Sequence, residues 1–448
     1  MVLNASGLTW IGPHELLFSA FKLANHKGIA TSNDQRGGLR DIYFPPNGLG
    51  QVFRSYLSPD RKWVLAAQAD GSGWLPCRLV PFDGNSPGRQ VGPKRSCTSA
   101  AWSPDGKWMY FSSMIGGAFH IWRQQFPGGP PEQITFGPTE EEGIAVSPEG
   151  RSLITSVGTG DSTIWFHDKN GDRPLSQERY SYNPQFSSEG RTVFYLTSRH
   201  ARPFWAGAGE LWSLNLDSGE RWRPPVPGGI VSFALAPQAD QVALVMVGPD
   251  DRLALWSAPL DGRAPPRKLA DDVVRGVGVS QNEIVFRPRT AAFLELMGFD
   301  GANRRRSTFF GTWDVSPDGK WSVVMDRIPL EGVRSPVVLY PMGGDADSRI
   351  PLCSPCSVSW VLEGRYLRVR FGAQQDAEDR PTYLAPIPRG EVVPALFRTG
   401  RLVSEAEVAK LPGVRIVPLG DPVFRSDPDT YVYTKRTVHR NLFRIPLE

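Results

Sequence analysis

Ala101-Trp-Ser-Pro-Asp-Gly-Lys-Trp-Met-Tyr-Phe-Ser-Ser113 decides the fold. It reads as apolar strand, tight turn, apolar strand. In Ser103-Pro-Asp-Gly106 the proline presets φ near about −65° for the first corner, and the glycine accepts the positive φ that a Cβ resists. Trp108, Tyr110 and Phe111 then suit a pleated, half-buried surface.

Degraded copies of this phrase run along the chain. They fall at Ile11–His14, Ser58–Arg61, Ser147–Gly150, Ser187–Gly190, Ala236–Ala239, Ser280–Glu283, Ser316–Gly319, Val361–Gly364 and Ser426–Asp429. Most intervals are about 36 to 49 residues, the period of a four-stranded propeller blade. Each repeat adds a third strand, often carrying Trp, as in Phe119–Arg123, Ser162–Phe166, Glu210–Leu214 and Leu253–Ser257. A short outer strand such as Glu132–Thr135 completes it. One such sheet exposes two apolar faces, and radial stacking buries them against neighbouring sheets. The expected fold class is therefore all-β: a β-propeller of four-stranded antiparallel blades. About ten blade-like repeats would close one large ring, or one ring plus part of a second. The Trp of the third strand belongs between adjacent sheets, where its burial is worth roughly 3 kcal/mol.

Propeller repeats are read over 1–448. Ser404–Leu411 breaks the pattern with helix formers behind a serine cap, and Pro412-Gly413 ends it, so a short helix is inserted at 404–411. The strands 429–436 and 441–446 are expected to join an outer strand from Val2–Ser6, closing the ring. Of 448 residues, 40% are hydrophobic and 21% charged, which suits a large soluble core. The net charge of +4 is mild, and Arg304–Arg306 is the only short basic run. Nucleic-acid binding is not expected. No apolar run reaches the roughly 18 residues of a membrane span, and the start lacks a signal-peptide pattern.

Trp102–Trp108, Ile121–Arg123 and Gly128–Thr135 together resemble the WD40-like, TolB-type propeller repeat. The wider phrasing, in Gly73–Gly84, Gly137–Gly143 and Thr437–Pro446, is similar to the propeller region attached to some bacterial serine/threonine protein kinases. The resemblance implies a non-catalytic binding or sensor module related to bacterial signalling. One alternative is the C-terminal part of a kinase whose catalytic domain is not in this chain. Another is a TolB-like cell-envelope protein. The kinase loop motifs are missing, and His439-Arg440-Asn441 lacks the catalytic Asp.

The chemistry-bearing residues point the same way. There is no G-x-S-x-G, H-E-x-x-H or phosphate-cradling glycine loop, and six scattered histidines form no ligand set. No enzyme activity and no cofactor are expected. Glu140, Glu141 and Glu142 lie between an outer strand and the next inner one, where three carboxylates suit a cation or a basic partner. Arg199, Arg202, Phe204 and Trp205 combine the residue types of binding hot spots. Expected partners are a protein or peptide, or a small ligand in the central channel. Cys77 and Cys97, and Cys353 and Cys356, are spaced for two disulfides, which favours an oxidising compartment. The absence of a signal pattern favours the cytoplasm, so localisation stays open at this level.

Overall fold

The computed structural model describes the chain except residues 1–4, 24–25, 36, 47–49, 71–72, 95, 116–117, 179, 199–208, 238–239, 249–251, 281, 292, 311, 326–335, 342–347, 373–379 and 448. The chain is a β-propeller protein built of four-stranded antiparallel blades. Each of the ten turn phrases joins the first and second strands of one blade.

The phrase works through one serine. The hydroxyls of Ser58, Ser103 and Ser316 donate to Asp60, Asp105 and Asp318 at 2.5, 2.6 and 2.6 Å. The same oxygens accept the backbone N–H of Trp63, Trp108 and Trp321 at 2.9 Å. Gly106, at φ 70°, turns the corner. The serine hydroxyl also holds the Asp60 and Asp105 carboxyls below the usual carboxylate range. A short side chain thus satisfies the backbone donors that a tight turn strands.

The chain divides into two compact units. One contains residues 1–161 and 437–448; the other contains 162–198 and 208–436. Two strands of double length, Ser152–Asp168 and Tyr431–Pro446, contribute a half to each.

In the first unit, the first blade runs Ala5–Trp10, Glu15–Leu23, His26–Asn33 and Arg40–Tyr43. The second runs Gln51–Leu57, Trp63–Asp70, Arg78–Pro81 and Arg89–Gln90, and the third Cys97–Trp102, Trp108–Ile115, Ala118–Gln125 and Glu132–Gln133. The fourth has three strands among the described residues: Glu140–Val146, the first half of Ser152–Asp168 and the second half of Tyr431–Pro446. Shared apolar clusters join the first blade to the second, the second to the third and the third to the fourth.

In the second unit, the fifth blade takes its inner strands from the end of the chain, Val423–Phe424 and 431–436. Its outer strands are 162–168 and Gly171–Pro174. The sixth to tenth blades follow in order, with first strands Ser181–Phe186, Ile230–Leu235, Val273–Ser280, Thr312–Val315 and Cys356–Val361. Apolar clusters join the fifth blade to the sixth, and so on to the eighth, and the ninth to the tenth. Leu362, Leu384 and Val417 of the tenth meet Phe424, Tyr431 and Trp165 of the fifth.

The third-strand tryptophans behave as their spacing predicts. Trp122, Trp165, Trp212 and Trp256 each pack on a cluster shared by two blades. Two expectations are corrected. Of the stretch Val2–Ser6 expected to complete the closing blade, residues 2–4 lie outside the described residues, and Ala5 and Ser6 instead begin the strand Ala5–Trp10, which pairs antiparallel with Glu15–Leu23. The two short strands expected at the end are one, Tyr431–Pro446. At 404–411 the regular helix is shorter, Glu405–Val408, with Ser404 and Glu407 forming a capping box.

Candidate functional site

Strand alternation decides what Glu140–Glu142 can do. The three lie inside strand Glu140–Val146, so Glu141 faces away from the other two. Glu141 is 3% exposed. Its carboxylate meets the His120 ring nitrogen at 2.7 Å and accepts from Thr135 at 2.9 Å and Thr139 at 2.9 Å. Glu140 and Glu142 meet Arg440 of the long closing strand, at 3.6 and 3.1 Å. Arg440 reaches them across Gly158. A Cβ there would lie 2.3 Å from both Arg440 Cγ and the His439 carbonyl oxygen, so only glycine leaves the guanidinium its path. The structure therefore presents two separate groups here, a buried hydrogen-bonded one at Glu141 and an ion-paired one at Arg440, and neither is a solvated loop. Among the described residues, no three His, Cys, Asp or Glu side chains stand together as a metal cage.

In the second unit, polar side chains tie one blade to the next. Asp314 of the ninth blade accepts the Trp360 N–H of the tenth at 2.7 Å. Burial pushes its carboxyl up to about 6, against the pull of those backbone donors and of Arg368. Gln185 of the sixth blade donates to the Phe233 carbonyl of the seventh at 2.8 Å. Ser257 of the seventh donates to Phe299 O at 2.8 Å, beside the eighth. Arg368 and Arg370 of the tenth blade donate to the Pro422 and Gly420 carbonyls, on the segment entering the fifth. Burial lowers the Arg370 guanidinium pKa, and Asp421, at 3.4 Å, opposes that shift.

A cavity of about 320 Å³ opens at the seventh blade. Its wall comes from the loop between second and third strands, with Gly248 and Arg252, and from the crossover to the eighth blade, with Asp271 and Asp272. Trp256 and Lys268 complete it; the Lys268 ammonium is 5.9 Å from the indole centroid and pairs with Asp271. Both charge signs thus flank one aromatic wall. Sequence reasoning missed this site, because its residues come from three separate loops and strands.

The two cysteine pairs are bonded, Cys77 to Cys97 and Cys353 to Cys356, with Cα atoms 5.4 and 5.8 Å apart. The first clasps the second blade to the third; the second spans the turn from the ninth blade to the tenth. Arg199, Arg202, Phe204 and Trp205 lie outside the described residues.

No family model matches the chain. No curated protein matches it either. Among solved structures it is similar to TolB from Acinetobacter baumannii, at 14% identity over 68% of this chain and 79% of that one, with a TM-score of 0.28. A putative TolB from Agrobacterium tumefaciens matches at 19% identity over 54% and 87%, with a TM-score of 0.23. The tricorn protease matches at 11% identity over 91% of this chain and 48% of that one, with a TM-score of 0.31, so this chain spans about half of it.

Proposed function

We propose that this chain is a recognition module without chemistry of its own, binding a protein or peptide, or a small ligand. The observation that carries the reading is the walled cavity of the seventh blade, where Trp256, Lys268, Asp271 and Arg252 converge from loops held by rigid blades. An aromatic wall with paired charges suits a short polar peptide segment. The repeat phrasing supports a sensor role in bacterial signalling, attached to a serine/threonine kinase. The bonded cysteine pairs favour the second reading, a TolB-like protein of the cell envelope, because such bonds persist in oxidising compartments.

The test is a peptide array probed with the native chain and with Trp256→Ala. Peptides retained by the native chain and lost by the variant, both assayed well below the variant's lowered melting temperature, support the reading. Steady turnover of ATP or an ester by the purified chain would overturn it, as would an array on which Trp256→Ala binds like the parent.

A further inference from the structure

The fourth blade holds three strands among the described residues, where the other blades hold four. Its last strand is the second half of Tyr431–Pro446, and the outward edge of 437–446 is unpaired among them. An edge strand presents a row of backbone donors and acceptors that templates another strand. Natural edges are usually guarded by charge, and this one sets exposed apolar side chains among its basic ones: Leu442 is 75% exposed, Val438 59% and Phe443 50%. By contrast Tyr431, Val432 and Tyr433, on the same strand, are buried.

The geometry points to 437–446 as a docking edge that takes an extended acidic segment of a partner protein as the fourth strand of this blade. Charge selects the occupant. From Thr437 to Leu447 the sequence has no Asp or Glu, while His439, Arg440 and Arg444 are basic. Arg440 is matched by Glu140 and Glu142. The Arg444 guanidinium donates to Ser152 at 2.9 Å and keeps its charge uncompensated by that hydroxyl. A second copy of the same strand, laid antiparallel, would bring arginine and histidine against arginine and histidine. An acidic strand with alternating apolar residues would set its carboxylates over the face of Arg440 and Arg444 and its apolar side chains over Phe443 on the other face.

This deepens the recognition reading by naming a partner class, and it fails separately from it, since the cavity is read out at Trp256. The probe is a fluorescein-labelled peptide of alternating valine and glutamate, with a counterpart carrying lysine for glutamate. At about 0.1 M salt, where screening acts over about 10 Å, the acidic peptide should bind at least tenfold tighter. His439→Glu combined with Leu442→Glu, both at exposed positions, should weaken it at least tenfold. Hydrogen exchange on the parent chain needs no variant, and the acidic peptide should slow the amides of 437–446. Equal binding of the two peptides, no binding, or protection confined to other residues would overturn the proposal. A sedimenting dimer that Leu442→Glu dissociates would assign the edge to a second copy, and overturns it too.

Discussion

Asp314→Asn separates the cost of a buried charge from the benefit of the link it makes. An unfolded aspartate releases its proton near 3.8; in the fold this one does so near 6. Between those values the folded chain keeps a proton that the unfolded chain has lost. Its stability is therefore highest below about pH 4, declines as pH rises to 6, and carries the whole cost above 6. A gap of about 2.2 corresponds to about 3 kcal/mol. The asparagine retains an oxygen for the Trp360 N–H and never ionises. Urea unfolding followed by tryptophan fluorescence should give similar midpoints for parent and variant near pH 4. Near pH 7.5 the variant should be more stable by about 2–3 kcal/mol. A difference of the same size at both pH values would refute the argument, and so would a variant that is weaker at pH 7.5.

Arg440→Met removes the cation facing two carboxylates whose side chains are 7% and 18% exposed. It should cost about 3–5 kcal/mol, and clearly less in a Glu142→Gln background, as a double-mutant cycle by chemical denaturation would measure. Gly158→Val must displace Arg440 and the His439 carbonyl, so it should lower stability by about 1–3 kcal/mol, with Gly158→Ala milder in thermal melts. Replacing Cys77 and Cys97 by serine opens a clasp across 20 residues. The loss should be about 3 kcal/mol, and thiol titration of the denatured parent, without reductant, should find no free sulfhydryl.

The ten turn phrases were legible because each is local: in Ser103–Gly106 and Ser316–Gly319 serine, aspartate and glycine solve one corner within six residues, whatever lies around it. The interblade tryptophans were legible for a similar reason, since a strand with one large ring on a fixed face needs a neighbouring sheet. Strand partnership was not local. Nothing in Ser426–Asp429 says that its blade is finished by 162–174, and Val157–Asp161 carries the glycines of a loop while lying inside one long strand. Glu140–Glu142 shows the same limit. Three adjacent acids look like one group, yet alternation divides them, and the arginine that two of them meet is about 300 residues away. The disulfide pairs were readable from spacing, whereas the cavity at Trp256 was not, because its wall is assembled from separate loops.

The paired long strands have a consequence for biosynthesis. Among the described residues the chain leaves its first unit after residue 161 and rejoins it at 437, so both units need the segment 431–446. While the ribosome is still adding residues 430–446, the fourth blade lacks its third strand and the fifth lacks its inner pair. Most of the nascent polypeptide must then wait, with apolar blade faces incompletely covered, for a delivery that finishes both bodies together. A stop codon near residue 425 would leave neither body complete.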